Sequence, residues 1–325
     1  MAGPARYQET GTHMKVVSLR STSVRMCMVI GLAALPAVLV LGDDGFLLML
    51  ARSFMRQWAM FVLVLAIFFA WRRQWCEVAA AMGAALVIAL QLPWLPTQVE
   101  LHGSEPIAFR VAQFNVLQPN KSNAGVLEAV LAADADILSF QEVDPAWAAF
   151  LKRALVNTYP YHHVVPRTDC YGIAVFSRFP VSSFEELDLF GAPAIEAHVE
   201  TASGDVTLTS VHARSPLPRA AFLKRNAQLS RLASRILNAH GPQVVVGDLN
   251  AVEWDHALVR FRQRAGLAGA PAYEPATFPS VFGLALIPID HIYSTKQLCV
   301  GATTTKRLPG SDHKAVIADL HWDER

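Results

Sequence analysis

The sequence predicts an α+β protein, a four-layer αββα sandwich preceded by an N-terminal helical transmembrane region. The first observation behind this prediction is a change of composition along the chain. Residues 24–95 consist mainly of Ala, Val, Leu, Ile, Phe, Met and Trp, whereas the residues from 101 onward have the mixed composition of a globular protein. We therefore divide the chain into an N-terminal tail (1–23), a transmembrane region (24–95), a linker (96–106) and a globular domain (107–325).

Three apolar segments make up the predicted transmembrane region, at residues 24–41, at about 57–71 and from 75 to about 95. A helix needs about 20 apolar residues to cross a bilayer, so the first and third segments come close and the second is short. Tryptophans at the ends of the segments are typical of an interfacial aromatic belt. Buried helices of a soluble domain are the alternative interpretation.

Lys and Arg residues indicate an orientation for these segments. Several precede the first segment, and Arg72 and Arg73 lie between the second and the third, which favours a cytoplasmic N-terminus. Arg52 and Arg56, between the first and second segments, weaken this indication. With three crossings, the domain would lie outside the cytoplasmic (inner) membrane, and with two crossings it would lie inside. We expect a multi-pass membrane protein with an extracytoplasmic domain.

The second observation is the order of strand-like and helix-like stretches after the proline-marked linker. Leu229, Leu232 and Ile236, for example, are spaced for one buried face of a long helix. Mixed strands with a few interposed helices favour two packed sheets with helices outside. In chain order, we predict strands at 107–116, 137–141, 161–165, 172–177, 181–189, 195–200, 206–212, 244–247, 289–294 and 315–321, and helices at 124–133, 145–157, 218–239 and 254–266.

The third observation is a series of polar residues placed where apolar strands end or begin. Carboxylates, an amide and an imidazole in such positions are what a metal-assisted attack on phosphorus needs. Because side chains alternate along an extended chain, two residues that flank Leu249 can face one site, and His291 points away from it. The series consists of FNV (Asn115), SFQEVD (Glu142), SVH (His212), VVVGDLN (Asp248 and Asn250), IDHIY (Asp290) and GSDHKAV (Asp312 and His313).

These motifs, in this order, resemble the endonuclease/exonuclease/phosphatase superfamily, the DNase I-like metallophosphoesterases. The resemblance covers essentially the whole of residues 107–321, and its most specific parts are GDLN and SDHKAV. It implies that the domain at 107–325 is a catalytic domain that hydrolyses phosphoester bonds with Mg²⁺, or with Mn²⁺ in its place. The apolar segments further resemble a membrane-anchored bacterial branch that is associated with teicoplanin-type resistance.

The resemblance also implies a role for each motif residue. Glu142 is the main metal ligand, with Asp312 and Asn115 at the same metal site, and Asn115 and Asn250 also bind the phosphate. The remaining roles concern proton transfer. Asp248 positions or deprotonates the attacking water, and His212 protonates the leaving oxygen. Asp290 orients His313, which hydrogen-bonds a phosphoryl oxygen or acts in proton transfer.

Each of these residues also has a purely structural interpretation. Glu142 could complement a helix dipole, and the asparagines and Asp248 could form turns at strand ends. The two histidines could be an ordinary strand-end residue and a solvent-facing residue. The presence of the complete ordered set favours the catalytic interpretation over these alternatives.

We therefore expect a membrane-anchored, Mg²⁺-dependent phosphoesterase whose partners are the lipid bilayer and a phosphorylated lipid or lipid-linked substrate. The residues from 101 to 325 contain 20 Lys and Arg against 22 Asp and Glu, a net formal charge of −2, which argues mildly against a dedicated nucleic-acid surface. A membrane-tethered endonuclease or exonuclease and a catalytically silent membrane binding module remain alternatives. No protein partner can be inferred, and a Cys170–Cys299 bridge stays open.

Overall fold

The structure is a computed structural model that describes residues 22–42, 44–92, 107–270 and 274–323. Most of the predicted tail (1–23) and all of the predicted linker (96–106) lie outside these residues. The described chain divides into two compact units. The first contains residues 22–41 and 57–88, and the second contains residues 42–56 and the described residues from 89 onward.

Four helices form the N-terminal part: α1 (Thr22–Leu41), α2 (Phe46–Ser53), α3 (Met55–Trp71) and α4 (Trp75–Ala89). By length and composition, α1 can cross a membrane, and only 17% of its most apolar stretch is buried. A core helix of a soluble protein would be mostly buried, so α1 is a candidate membrane anchor or signal sequence. α2 and α3 are long enough only as a pair, which is bent by 65°.

The three predicted spans are thus only partly matched by helices of sufficient length. Among the described residues one helix qualifies, or two if the bent pair counts as one span. The predicted second segment and residues 75–89 of the third are helical, but α3 has 17 residues and α4 has 15. Both are shorter than the roughly 20 residues that cover the hydrocarbon core. Residues 93–95 of the predicted third segment lie outside the described residues.

Two mixed β-sheets form the centre of the second unit. Within the described residues, sheet A has the strand order β11-β13-β1-β2-β4-β3, with β12 also paired to β13, and sheet B has the order β5-β6-β7-β8-β10-β9. The strands are β1 (Phe109–Asn115), β2 (Ile137–Gln141), β3 (Tyr161–Val165), β4 (Ile173–Ser177), β5 (Val181–Leu189), β6 (Ala192–Thr201), β7 (Gly204–His212), β8 (Gln243–Asp248), β9 (Leu267–Ala268), β10 (Asp290–Thr295), β11 (Leu298–Val300), β12 (Thr304–Arg307) and β13 (Lys314–Trp322).

The sheets pack face to face, and helices cover their outer sides. Val111, Val175 and Val244 belong to the apolar core between the sheets. The helices α5 (Asn123–Ala133) and α6 (Pro145–Leu155) contribute Val130 and Leu151 to the core outside sheet A. The helices α7 (Arg219–Leu237) and α8 (His256–Ala265) contribute apolar side chains to the core outside sheet B. The predicted α+β class, with its four layers, is confirmed.

The strands and helices predicted for the globular domain agree with the structure to within about three residues. The sequence interpretation missed α2 and the short strands β9, β11 and β12. These elements have two to eight residues, too few for an apolar period to stand out.

α2 belongs to the second unit because the segment around it contacts α8 and the residues before α8. The carboxylate of Asp44 pairs with Arg260 (2.6 Å) and with His256. The indole of Trp254 donates a hydrogen bond to the carbonyl of Arg52 (2.7 Å). A segment between two apolar helices is therefore built into the globular unit.

The sheet topology brings the polar motifs to one end of the sandwich. β1 and β2 are parallel, so Asn115 lies beside Gln141 at their carboxyl ends. β7 and β8 are also parallel, which sets His212 beside Asp248. β10 is antiparallel to β8 and begins where β8 ends, so that Asp290 is the register partner of Asp248.

Candidate active site

Asp290 and His313 form a buried pair at the centre of this end. The Nδ1 atom of His313 donates to Oδ2 of Asp290 over 2.8 Å, and both side chains are nearly inaccessible to solvent. Burial alone would lower the pKa of His313, but the Asp290 carboxylate outweighs it and raises this pKa to about 10. The pKa of Asp290 is lowered because burial is outweighed by its charged partner. His313 is therefore an imidazolium at neutral pH.

Asp248 lies next to this pair. Its Oδ2 atom is 3.8 Å from Nε2 of His313 and 3.6 Å from Nε2 of His212. Its Oδ1 atom accepts a hydrogen bond from the backbone N–H of Asn250 (2.9 Å). Burial, together with repulsion by Asp290, raises the pKa of Asp248 to about 7. A carboxylate with this pKa can take up a proton near neutral pH.

His212 has the opposite electrostatic environment. Its side chain is buried under the ring of Tyr171, with ring centroids 5.1 Å apart. Burial, and then repulsion by His313, lower the pKa of His212 to about 4. His212 is therefore neutral at pH 7. In this state its single N–H can donate a hydrogen bond, but the ring lacks the second proton with which an imidazolium acts as an acid.

Asn115 links the two sheets across the site. Its Nδ2 atom donates to Oε1 of Glu142 (3.1 Å), the residue after β2 of sheet A, and to Oδ2 of Asp248 (3.2 Å) in sheet B. The other oxygen of Glu142 accepts from the backbone N–H of Gln118 (3.0 Å). Glu142 directly follows β2 and is half-buried. Each of its carboxylate oxygens accepts one of these hydrogen bonds and keeps a further lone pair.

The carboxylate oxygens of the site suit a hard divalent cation. Oδ1 of Asp312 is buried and accepts no hydrogen bond from the residues that the structure describes. A buried carboxylate oxygen without a donor is costly unless a cation lies against it. Glu142 has the same chemistry, and hard cations such as Mg²⁺ bind through carboxylate oxygens and water. These residues fit a metal ion.

A second group of ligand-type atoms belongs to Asp248, Asp290 and His313, all within 4.8 Å of one another. Both oxygens of Asp290 are occupied by hydrogen bonds, from Gln113 (2.8 Å) and from His313. This group is better suited to holding a proton than to replacing water around a metal ion.

Asn250 lies at the edge of the site. It has a left-handed backbone conformation (φ 48°), and its Nδ2 atom donates to the carbonyl of Ala213 (2.9 Å). This amide donor is thus used to hold the loop after β7. The backbone N–H of Asn250, bound to Asp248, is its direct contact with the site.

Several supporting residues were missed by the sequence interpretation. Gln113 donates to both Asp290 and Gln141, and the chain of hydrogen bonds continues to Ser139 and Ser210 between the sheets. All four of these polar residues are buried among apolar core residues. The available signal was the polar residue inside an apolar strand, as in VAQFN and ILSFQ, which demands a buried partner.

Close backbone approach explains the glycine that precedes Asp248. A Cβ atom on Gly247 would lie 1.9 Å from the carbonyl oxygen of Val211, and the φ of Gly247 is +145°. Glycine thus allows β8 to run beside β7 up to Asp248.

Glu142 has a φ of 63°, and this rarely populated conformation turns its side chain out of the line of β2.

Comparison with known proteins supports the same fold. The sequence profile of the Endonuclease/Exonuclease/phosphatase family matches residues 112–313, and no curated sequence matches the chain significantly. An endonuclease/exonuclease/phosphatase from Beutenbergia cavernae DSM 12333 aligns with a TM-score of 0.56 and 16% identity, over 67% of this chain and 72% of that chain.

Two further solved structures are similar to the chain. A mannosyl-6-phosphatase from Bacteroides thetaiotaomicron VPI-5482 has a TM-score of 0.54 and 18% identity, over 66% of this chain and 100% of its own. Sphingomyelinase C from Streptomyces griseocarneus has a TM-score of 0.51 and 19% identity, over 66% of this chain and 99% of its own. At these low identities, the structural alignments show a shared fold and nothing beyond it. Because the profile match covers more than half of the residues, the chain belongs to the endonuclease/exonuclease/phosphatase family of metal-dependent phosphoester hydrolases.

Proposed function

We propose that the protein is a membrane-anchored, Mg²⁺-dependent phosphoesterase that hydrolyses a phosphoester of a lipid or a lipid-linked compound. The observation that carries the proposal is the coexistence, in one chain, of the buried Asp248–Asp290–His313 group with an apolar helix, α1, that is long enough to cross a membrane. An enzyme held at a bilayer meets phosphates at the headgroup level far more often than soluble substrates.

In the proposed mechanism, a divalent cation held by Glu142 and Asp312 would polarise a phosphoryl oxygen and offset its charge. Asp248, with a pKa of about 7, orients the attacking water and takes its proton. The imidazolium of His313, kept charged by Asp290, donates a hydrogen bond to a phosphoryl oxygen as negative charge builds up.

The amides and His212 complete the arrangement. Asn115 holds Glu142 and Asp248 at a fixed separation, because its Nδ2 atom donates to both. Neutral His212 donates a hydrogen bond to the leaving oxygen, a role that does not require it to be protonated at pH 7. Asn250 contributes through its backbone N–H, which orients Asp248.

We further propose that the domain is extracytoplasmic and that α1, α3 and α4 all cross the inner membrane. Residues 44–56 contact the globular domain and must therefore lie on the same side of the membrane as it does. If α1 crosses once, the N-terminus is on the other side, and α3 and α4 together cross an even number of times. The positive-inside rule favours a cytoplasmic N-terminus.

Nucleic acid is the second candidate substrate, since the same fold and chemistry occur in nucleases. The net formal charge of −2 over residues 101–325 gives a polyanion no general attraction. The lipid proposal therefore comes first, and the nuclease is an explicit outcome of the test.

Incubation with three substrates in parallel tests the proposed function. Detergent-purified protein would be incubated in Mg²⁺ with plasmid DNA, sphingomyelin and undecaprenyl pyrophosphate, with His313→Ala as the control. We expect phosphate or headgroup release from a lipid substrate alone, and its loss in the variant. Nicking of DNA without lipid hydrolysis would make the protein a tethered nuclease.

Reporter fusions test the membrane topology separately. A reporter that is active only outside the cytoplasm, fused after residue 325, should be active, and the same reporter fused after residue 73 should be silent. Activity of a cytoplasm-specific reporter at residue 325 would show that the proposed side is wrong.

A further inference from the structure

An exposed apolar hairpin lies beside His313. Residues 278–287 pair with each other through Phe278 and Ile287 at the base and through Val281 and Leu284 near the tip. The turn is made by Phe282 and Gly283, both with positive φ (51° and 83°), which is the geometry of a tight two-residue hairpin loop. The hairpin is therefore an ordered element.

The tip of this hairpin presents large apolar side chains to the outside. Phe282 is 98% exposed and Leu284 is 76% exposed, and Val281 and Leu286 are also about half-exposed. The sequence from residue 275 to residue 289, PATFPSVFGLALIPI, contains no charged residue. A contiguous, uncharged apolar projection of this kind marks a contact surface rather than an ordinary solvated loop.

The base of the hairpin is joined to the catalytic residues. The ring of Phe278 lies 4.8 Å from the ring of His313. The backbone N–H of Ser280 donates to the carbonyl of Asp312 (2.6 Å), and the N–H of Lys314 donates to the carbonyl of Thr277 (2.9 Å). Whatever the tip contacts is thus held at a fixed distance from the reacting phosphate.

A contact of Arg56 indicates which partner the tip of the hairpin meets. Both guanidinium nitrogens Nη1 and Nη2 of Arg56 lie 3.3 Å from the carbonyl oxygen of Glu274, just before the hairpin. Arg56 is also the last residue before the predicted second apolar segment. Arg56, the last residue of the globular unit before the chain continues along the apolar helix α3, is therefore hydrogen-bonded to Glu274, four residues before Phe278 at the base of the hairpin.

We propose that the tip of the hairpin, Val281, Phe282, Leu284 and Leu286, inserts into the outer part of the bilayer in which the chain is anchored. A convex, uncharged tip suits the headgroup–acyl boundary, where apolar side chains enter to a depth of about 5–10 Å. The end of the sandwich that holds His313 and Asp312 then faces the headgroups, and the substrate enters from the membrane plane. The inference rests on the proposed membrane anchoring and does not depend on which phosphoester is cleaved.

A fluorescent probe at the tip tests insertion directly. Full-length protein with its four native cysteines replaced would carry Phe282→Cys labelled with an environment-sensitive dye, in vesicles of phosphatidylethanolamine and phosphatidylglycerol. The matched control is Ser203→Cys in the β6–β7 turn, at the other end of sheet B from the catalytic residues.

We expect lipid-borne nitroxides to quench the label at position 282 at least threefold more than the label at 203, and aqueous iodide to quench it less. Equal access of iodide to both positions would overturn the inference. Protection of position 282 that depends on protein concentration in detergent would also overturn it, because a second copy of the chain would then cover the tip.

A kinetic comparison adds a second readout. The double variant Phe282→Asp/Leu284→Asp should hydrolyse a substrate in vesicles at least tenfold more slowly, with hydrolysis of a short, water-soluble phosphodiester unchanged. Leu237→Asp, an exposed leucine at the end of α7, is the control and should change neither rate. An equal fall on both substrates would mean that the hairpin only supports the catalytic loop. Insertion without lipid hydrolysis would refute the proposed substrate and leave the hairpin inference standing.

Discussion

At the residue scale, Asp290 sets the charge of His313. The pKa of His313 is about 10 in the presence of Asp290, above the ordinary value of about 6.5, although burial opposes the charged form. A group with a raised pKa keeps its proton as the pH rises, until the pH passes the raised value. His313 therefore supplies a positive charge at every pH from acid to about 9.

Replacement of this carboxylate should change the pH dependence of hydrolysis. In Asp290→Asn, the largest attraction is gone while burial remains, opposed only by the charges of Asp248 and Asp312, so the pKa of His313 should fall. We expect the variant to lose about 10²-fold in kcat at pH 8 and less at pH 5.5. The measurement is a pH–rate profile of both proteins. Parallel profiles would show that His313 does not act as a cation.

Glu142 is the other residue whose chemistry can be tested alone. We expect Glu142→Ala to weaken the binding of Mg²⁺ or Mn²⁺ at least about tenfold, because the site loses a carboxylate ligand. Titration calorimetry on the full chain would measure the affinity. Glu128→Ala, on the exposed side of α5, is the control and should bind as the unmodified chain does. Unchanged binding in Glu142→Ala would remove this residue from the metal site.

At the scale of elements, the parallel pair β7 and β8 requires a glycine before Asp248. Gly247→Ala places a methyl group 1.9 Å from the carbonyl oxygen of Val211 and forces alanine to a φ of +145°. We expect a loss of at least about 3 kcal/mol in the free energy of unfolding, since backbone cannot move aside as a side chain can.

Gly241→Ala provides the matched control for this substitution. Its φ is +77° and its Cβ would meet nothing within 4 Å, so that only the backbone cost of about 1 kcal/mol applies. Denaturant unfolding of both variants gives the comparison. Similar losses at the two positions would show that contact with Val211 is not the cause.

At the scale of the whole molecule, the globular unit is discontinuous in sequence, because residues 42–56 belong to it. Trp254 and Phe222 are almost fully buried, and the Phe46 ring lies 5.9 Å from that of Phe222. Removal of the segment would expose both aromatic side chains to water.

A domain truncated to residues 96–325 should therefore be less stable than one to which residues 44–56 are attached by a flexible linker. We expect a difference of about 2 to 4 kcal/mol in the free energy of unfolding, from the apolar surface of two aromatic side chains. Urea unfolding followed by tryptophan fluorescence measures it. Equal stability would mean that the α2 segment rests on the domain without supporting it.

The sequence by itself determined the α+β class and the order of the polar motifs along the chain. These depend on composition, on local period and on residues close to one another in sequence, such as Asp248 and Asn250 or Asp312 and His313. The sequence also predicted that His291 points away from the site, because the alternation of side chains along a strand is a local property. In the structure, His291 contacts Glu274 (2.6 Å).

Only the tertiary structure decided which distant groups meet. The partnership of Gln113 with Asp290, the joint hold of Asn115 on Glu142 and Asp248, and the use of the Asn250 amide on Ala213 all depend on strand order across two sheets. The same is true of residues 44–56, which lie among apolar segments in sequence and on the globular unit in space. A local pattern carries no information about such contacts, because chain crossings and sheet packing set them over separations of tens to hundreds of residues.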